Sequence, residues 1–216
     1  MIQFHNVSFT VQTNTVLTNC NISFEEGKFT AITGPAGSGK STTLKLAAGI
    51  LQPTKGRVLY NGEDISEMSE SENRAFRRNM GFVFQDSALW ENQSLRQNLE
   101  LPLQFHFPKM SRADMNRRIA SSLALAGWNR ASDKKLDIRP AELSMGEQKL
   151  ISFARAILLL PRLLFLDEWT ESLDESAAER LITVVENMKN GYNTVIFVSH
   201  DDALVQRLAD RVVEIQ

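Results

Sequence analysis

One glycine-rich run constrains this chain more than any other part of its sequence: Gly34-Pro35-Ala36-Gly37-Ser38-Gly39-Lys40-Ser41. It matches the pattern G-x-x-x-x-G-K-[ST] at every fixed position, between a predicted strand and a predicted helix. Glycines let a backbone curl closely around an anion, and the N-terminus of the following helix adds its positive end. The run and the adjacent Thr42 therefore predict a loop that binds nucleotide phosphates, with Lys40 on the β- and γ-phosphates and Ser41 on Mg²⁺.

A second acidic site is predicted where the apolar run 163–166 ends in Asp167 and Glu168. In open α/β folds, ligands bind at the carboxyl ends of the strands. Asp167 is expected to hold Mg²⁺ through its water shell. Side chains alternate along a strand, so Glu168 is expected on the opposite side, where it polarises the attacking water.

Composition limits the classes of partner and of compartment. The chain has 24 Lys and Arg against 26 Asp and Glu, a net charge of −2 that argues against nucleic-acid binding. One cysteine, Cys20, excludes an internal disulfide framework and favours a reducing compartment. No apolar run approaches the roughly 18 residues of a membrane span, and the N-terminus lacks the pattern of a signal peptide. We expect a soluble intracellular protein.

Strand and helix patterns alternate along most of the chain, which favours an α/β fold with a mostly parallel sheet covered on both faces. Strands are predicted at 2–11, 15–24, 28–33, 57–60, 80–84, 163–166, 194–198 and 211–215. Helices are predicted at 39–50, 63–78, 94–105, 111–126, 145–159, 175–189 and 202–209. The helical block lies between two strands, which predicts a helical subdomain inserted into the core.

The run Leu143-Ser144-Met145-Gly146-Glu147-Gln148 resembles the L-S-G-G-[QE]-Q signature of ATP-binding-cassette (ABC) ATPases. Other marks of that family follow in its order: Gln85 after an apolar strand, Ser172-Leu173-Asp174 after Glu168, and His200 after another strand. The resemblance covers essentially the whole chain, and six marks in one order are far more specific than any one of them.

This resemblance implies a single domain over residues 1–216. A RecA-like P-loop NTPase core with a parallel sheet and an N-terminal antiparallel β-subdomain would occupy 1–93 and 161–216, and the helical subdomain 94–160. The implied cofactors are ATP and Mg²⁺. Two copies would close head to tail on two ATP molecules, forming an ATP-dependent homodimer.

The resemblance also assigns roles to single residues. Ser144 and the backbone N–H of Gly146 from one copy would contact the γ-phosphate of the ATP held by the other. Within one copy, Gln85 would contact Mg²⁺ and His200 would hydrogen-bond the γ-phosphate. Val11 occupies the position from which the family often contacts adenine.

Four positions depart from the family pattern, one of them Leu150, where an arginine is common. Met145 replaces the first glycine of the signature, a costly change if that backbone needs a positive φ. Trp169 replaces the proline that usually follows the catalytic glutamate, which predicts a less rigid loop around Glu168. Val11 replaces an aromatic residue that stacks on adenine, which predicts weaker nucleotide affinity.

Three classes of function fit these patterns. The favoured one is the ATPase subunit of a membrane transporter, lying peripherally on the cytoplasmic face of the inner (plasma) membrane beneath a separate permease. The second is a soluble ABC-type ATPase that acts on DNA or ribosomes, and the third is a small P-loop kinase. The signature, the glutamine and the histidine disfavour the kinase.

The segment after Gln85 is predicted to form the surface that contacts the permease. Residues 86–90 form an apolar stretch with polar flanks, suited to receiving a helix near Ser87–Trp90. The run 82–103 looks most like the ATPases of bacterial Mla-type phospholipid transporters, and is also close to lipoprotein-release and FtsEX-type cell-division cassettes. Phospholipid is the expected cargo.

Overall fold

Two β-sheets of different type organise the computed structural model, which describes residues 1–128 and 136–216. One is entirely parallel, with strand order β10 (Arg211–Glu214), β4 (Phe29–Thr33), β9 (Thr194–Val198), β8 (Leu163–Asp167) and β7 (Met80–Val83). Every residue of β8 and β9 is buried, as expected for a sheet that is covered on both faces. The predicted parallel core is confirmed.

The second sheet is antiparallel and lies near the N-terminus. It consists of β1 (Ile2–Val11), β2 (Asn14–Cys20), β3 (Ser23–Phe24), β5 (Lys55–Tyr60) and β6 (Glu63–Asp64). The prediction of a single strand over 15–24 is wrong, because residues 21 and 22 interrupt it and separate β2 from β3. There the Asn6 N–H donates to Asn21 Oδ1 at 3.0 Å, and Asn21 Nδ2 donates to Asn6 Oδ1 at 3.1 Å, so side chains replace the ladder.

Seven described α-helices complete the fold: α1 (Lys40–Ala47), α2 (Glu70–Asn79), α3 (Leu95–His106), α4 (Arg112–Leu125), α5 (Met145–Ile157), α6 (Glu175–Asn187) and α7 (Asp202–Leu208). The helix predicted from residue 63 begins instead at Glu70. Ser69 Oγ accepts the Glu72 N–H at 3.3 Å, and Glu72 Oε2 accepts the Ser69 N–H at 2.7 Å, a capping box that fixes the start. None of the described helices is long and apolar enough to span a membrane.

The parallel sheet separates two apolar cores. Leu164 and Leu166 of β8 pack into the core that holds α3 to α6, whereas Leu163 and Phe165 pack into the core shared with α1 and the antiparallel sheet. This alternation is the two-residue period of a strand. The described helices of the 94–160 block thus pack on one face of the sheet and place the start of α5 beside the loops that follow β7 and β8.

Candidate functional site

The loop between β4 and α1 wraps around an open cradle. Gly34 and Gly39 have φ values of 138° and 97°, and a Cβ on Gly34 would lie 2.1 Å from the Ile215 carbonyl oxygen. Only glycine fits such a backbone. Lys40 Nζ donates to the carbonyl oxygens of Gly34 and Pro35 at 2.9 and 2.8 Å, and the buried Ser38 hydroxyl has no described hydrogen-bond partner. The loop therefore holds a cation whose donors a bound phosphate could take over from the two carbonyl oxygens.

Ser41 and Asp167 meet although 126 positions separate them in sequence. Ser41 Oγ donates to Asp167 Oδ1 at 2.8 Å, and this carboxylate lies buried at the end of β8. Burial raises the pKa of Asp167, and the Ser41 hydrogen bond partly opposes that rise. A hydroxyl and a carboxylate are oxygen ligands of the kind Mg²⁺ prefers. These residues fit the predicted metal site.

Glu168 is the first residue after β8, and its backbone turns sharply. Its φ is 43°, in the left-handed region, and its N–H donates to the Val198 carbonyl oxygen at 3.2 Å. The sequence predicted that strand alternation would orient this side chain. In the structure, the positive φ of Glu168 orients it instead. Such strained backbone is concentrated at functional sites.

The Glu168 carboxylate is largely buried and faces His200. His200 Nε2 lies 3.2 Å from Glu168 Oε1, but the pair is not aligned as a hydrogen bond, and Oε1 has no other partner among the described residues. Burial raises the pKa of Glu168, and the nearby His200 opposes the rise. An unpaired carboxylate oxygen with a raised pKa is suited to accept a proton.

A cavity of about 300 Å³ joins these groups. Its lining consists of Val16, Ala36, Gly37, Gly39, Lys40, Ser41, Thr42, Gln85, Glu168, Val198 and His200. The structure thus brings together residues of four motifs that lie far apart in sequence: the phosphate loop, Gln85, Glu168 and His200. Gln85 also donates from Nε2 to Glu171 Oε2 at 3.3 Å, which places its amide beside the loop of Glu168.

Val11, Ser144 and Gly146 do not line this cavity. Val11 is 51% exposed at the end of β1, and Val16, which the sequence analysis missed, takes a place in the lining instead. A Cβ on Gly39 would lie only 2.9 Å from Val16 Cγ1, so the β1–β2 hairpin touches the phosphate loop. The strands predicted at 2–11 and 15–24 are separated by only three residues, so pairing them as a hairpin could have found Val16.

The signature run forms the capped start of α5. Ser144 Oγ accepts the Glu147 N–H at 3.2 Å, and Glu147 Oε2 accepts the Ser144 N–H at 3.0 Å. Met145 is the first helical residue and is 71% exposed, so the substituted position needs no left-handed backbone. Gly146 is constrained by packing, because a Cβ there would lie 2.8 Å from the Ser172 carbonyl oxygen.

Trp169 anchors the loop that carries Glu168. Its side chain is completely buried and stacks on the Phe153 ring of α5, with centroids 6.0 Å apart and planes 21° apart. The ring attaches the loop to the core, although its indole N–H has no hydrogen-bond partner among the described residues. The expectation that the tryptophan loosens this loop stays a prediction.

Similarity to known proteins agrees with this geometry. A family model described as "ABC transporter" matches residues 17–171. The sulfate/thiosulfate import ATP-binding protein of Thermosynechococcus vestitus is 33% identical over 98% of this chain and 60% of its own length. An uncharacterised ABC transporter ATP-binding protein of Methanocaldococcus jannaschii is 33% identical over 93% of this chain and 87% of its own length. The chain thus spans about three fifths of the first relative.

A solved structure extends the match to three dimensions. The dimeric post-hydrolysis structure of the ATP-binding cassette MJ0796, bound to ADP and Pi, has a TM-score of 0.90 and 29% identity. The match covers 100% of this chain and 94% of that chain. It confirms the predicted P-loop NTPase fold. The chain belongs to the ABC transporter family, as an ATP-binding cassette of the ATPase type that uses ATP and Mg²⁺.

Proposed function

We propose that this chain hydrolyses ATP to drive a separate membrane permease. The observation that carries the proposal is the single cavity in which Lys40, Ser41, Gln85, Glu168 and His200 converge. Together they supply a phosphate-binding cation, a metal-binding hydroxyl and amide, a proton acceptor and a polar group beside it. When bound, Mg²⁺ neutralises the charge that develops on the transferred phosphate.

Each cavity residue has a proposed role that its contacts support. Lys40 exchanges its two carbonyl acceptors for the β- and γ-phosphates, and Ser41 with Asp167 holds the metal. Glu168 accepts the proton of the attacking water on its carboxylate, while His200, whose Nε2 lies 3.2 Å from Glu168 Oε1, hydrogen-bonds the γ-phosphate. A positioned proton acceptor contributes about 10²- to 10⁴-fold to a rate. The adenine is assigned to Val11 at the hairpin edge, next to Val16.

A second copy of the chain completes the site. Ser144 and Gly146 lie at the N-terminus of α5, outside the cavity of their own copy, where backbone N–H groups and the helix dipole favour an anion. The arrangement supports a head-to-tail homodimer held together by ATP. The dimeric cassette with which this chain shares its fold supports the same assembly.

The permease is assigned to an apolar groove of about 670 Å³ between β7 and α3. Trp90 and Phe105 line it with side chains 47% and 56% exposed, which suits an amphipathic helix laid into the groove. Ser87 and Leu89 are buried, so within the predicted contact segment the groove is lined by the half-buried Ala88 and the exposed Trp90. Docking there places the chain peripherally on the cytoplasmic face of the membrane.

Phospholipid is the proposed cargo. The proposal rests on the resemblance of the run 82–103 to Mla-type ATPases. The named relatives of this chain import sulfate or thiosulfate, methionine, and nickel. In this proposal the cavity binds nucleotide and the groove binds the permease. The cargo contacts the permease and not this chain, so the permease determines which cargo is transported.

Copurification from detergent-solubilised membranes of the source cell tests this function. The parent chain is expected to retain one integral membrane protein whose presence stimulates ATP hydrolysis. Trp90→Ser with Phe105→Ser should lose that companion and the stimulation, while the isolated chain hydrolyses ATP as before. Salt-sensitive binding to DNA or ribosomes, with no membrane companion, would instead support the soluble class of ABC ATPase.

A further inference from the structure

The loop after β7, residues 84–90 (the Gln85 loop), is fastened by three side chains of α5. Lys149, Ser152 and Arg155 follow one another at intervals of three residues, so they share one face of the helix. These three side chains donate hydrogen bonds to the Gln85 loop. In each described bond the acceptor is a backbone carbonyl oxygen. The helix that begins with the signature run thus holds the loop by its main chain.

Lys149 makes the contact nearest to Gln85. Its Nζ donates to the carbonyl oxygen of Phe84 at 3.2 Å and to that of Gln85 itself. The side chain is 2% exposed, and burial lowers the pKa of Lys149, opposed most strongly by the negative charge of Glu171. A buried ammonium group is costly unless its donors are paired, so these carbonyls fix where the side chain lies.

The far end of the loop is held by the same helix. Ser152 Oγ donates to the Ser87 carbonyl oxygen at 2.8 Å, and Arg155 donates to the carbonyl oxygens of Ser87 and Ala88 at 3.1 and 2.9 Å. Ser87 and Ala88 have φ values of 64° and 43°, a left-handed turn that directs these carbonyls toward α5. Such a turn persists because its surroundings hold it.

A second helix of the same subdomain secures the groove end. The Trp90 N–H donates to Asn98 Oδ1 at 2.8 Å, and Asn98 Nδ2 donates to the Trp90 carbonyl oxygen at 3.1 Å. Asn98 is completely buried on α3. The loop leaves the core sheet at the end of β7, but its polar contacts with α3 and α5 bind it to the helical block.

We propose that Lys149 is a positioning residue for the metal-contacting Gln85: its hydrogen bonds to the carbonyl oxygens of Phe84 and Gln85 fix the main chain that carries the glutamine amide. This inference rests on the proposed metal role of Gln85.

The test measures how the ATPase rate of the purified chain depends on Mg²⁺ concentration, in a double-mutant cycle of Lys149→Met and Gln85→Ala. Each single variant is expected to raise the half-saturating Mg²⁺ concentration about 10-fold, as loss of one charged hydrogen bond allows. The double variant is expected to shift no further, because both changes remove the same contact. Lys149→Arg keeps the charge and donors and should restore most of the parent value.

Two readouts separate positioning from mere packing. Binding of ATP in EDTA is expected to stay at the parent level in all four proteins, because the phosphate loop is untouched. The thermal midpoint reports stability independently, and Lys149→Gln, which keeps one donor group, serves if Lys149→Met folds poorly.

Additive shifts of the two variants would overturn the inference, as would a parent-like Mg²⁺ dependence of Lys149→Met beside a shifted Gln85→Ala. If Gln85→Ala had the same half-saturating Mg²⁺ concentration as the parent, that result would overturn the metal role of Gln85 and the inference with it. That outcome is recognisable because it appears in the glutamine variant alone.

Discussion

Glu168 owes its position to its backbone and its basicity to its surroundings. The left-handed φ turns the carboxylate toward the cavity, and burial raises its pKa above the ordinary value of 4.5. A glutamate that binds a proton more tightly is a better acceptor near neutral pH.

Glu168→Gln should retain ATP binding and lose hydrolysis. The amide keeps the shape of the side chain but cannot accept a proton, so the rate is expected to fall at least about 100-fold. A fluorescent ATP analogue measures binding, and phosphate release measures turnover. Hydrolysis at the parent rate would remove Glu168 from its role.

The pH dependence of activity should report the raised pKa of Glu168. The carboxylate must be ionised to act as a base, so the rate is expected to fall as pH decreases through a midpoint above 4.5. Ionisation of a carboxyl with a raised folded-state pKa opposes folding, so the free energy of unfolding should also fall as pH rises through the window between 4.5 and that raised value. Denaturant titrations at several pH values measure whether the free energy of unfolding falls as pH rises in this window. In Glu168→Gln this fall should be smaller.

Lys40→Ala should weaken ATP binding by about 10- to 100-fold, the range expected when a hydrogen bond from a charged donor is lost. The two carbonyl oxygens that Lys40 now satisfies would be left without that donor. Lys55→Ala, at an exposed lysine of β5, is the matched control and should bind as the parent does. Equal affinities of the two variants would contradict the role of Lys40.

Among the elements, α5 connects the most parts of the site. Its start presents Ser144 and Gly146, one face holds the Gln85 loop, and Phe153 stacks on Trp169 behind Glu168. Trp169→Ala should therefore lower the free energy of unfolding by about 3 to 5 kcal/mol, the usual cost of deleting a buried aromatic side chain. Trp169→Phe keeps part of the stacking and should cost less. A Trp169→Ala cost below about 1 kcal/mol would show that the loop is anchored elsewhere.

Local patterns predicted the elements that build the phosphate loop, because β4, its glycines and α1 are contiguous in sequence. They also placed Asp167 and His200 at the ends of strands that the parallel sheet brings together. They missed Lys149, whose partners are backbone carbonyls 64 and 65 positions away and carry no side-chain signature. The same limit hid the burial of Trp169 behind Glu168, since nothing local marks a ring that packs against another helix.

At the scale of the whole molecule, one copy carries only half of each proposed site. Lys40 and Glu168 line its cavity, while Ser144 and Gly146 lie outside it. Nucleotide bound between two copies would therefore act as the link that joins them.

Molar mass by light scattering, measured on Glu168→Gln with and without ATP and Mg²⁺, tests this account most directly. We predict the 24.3 kDa monomer without nucleotide and twice that mass with it, and no mass gain when Ser144→Arg is added to block the second copy's contact. A Glu168→Gln chain that stays at 24.3 kDa with saturating ATP, or that doubles equally well with Ser144→Arg, would contradict the central claim.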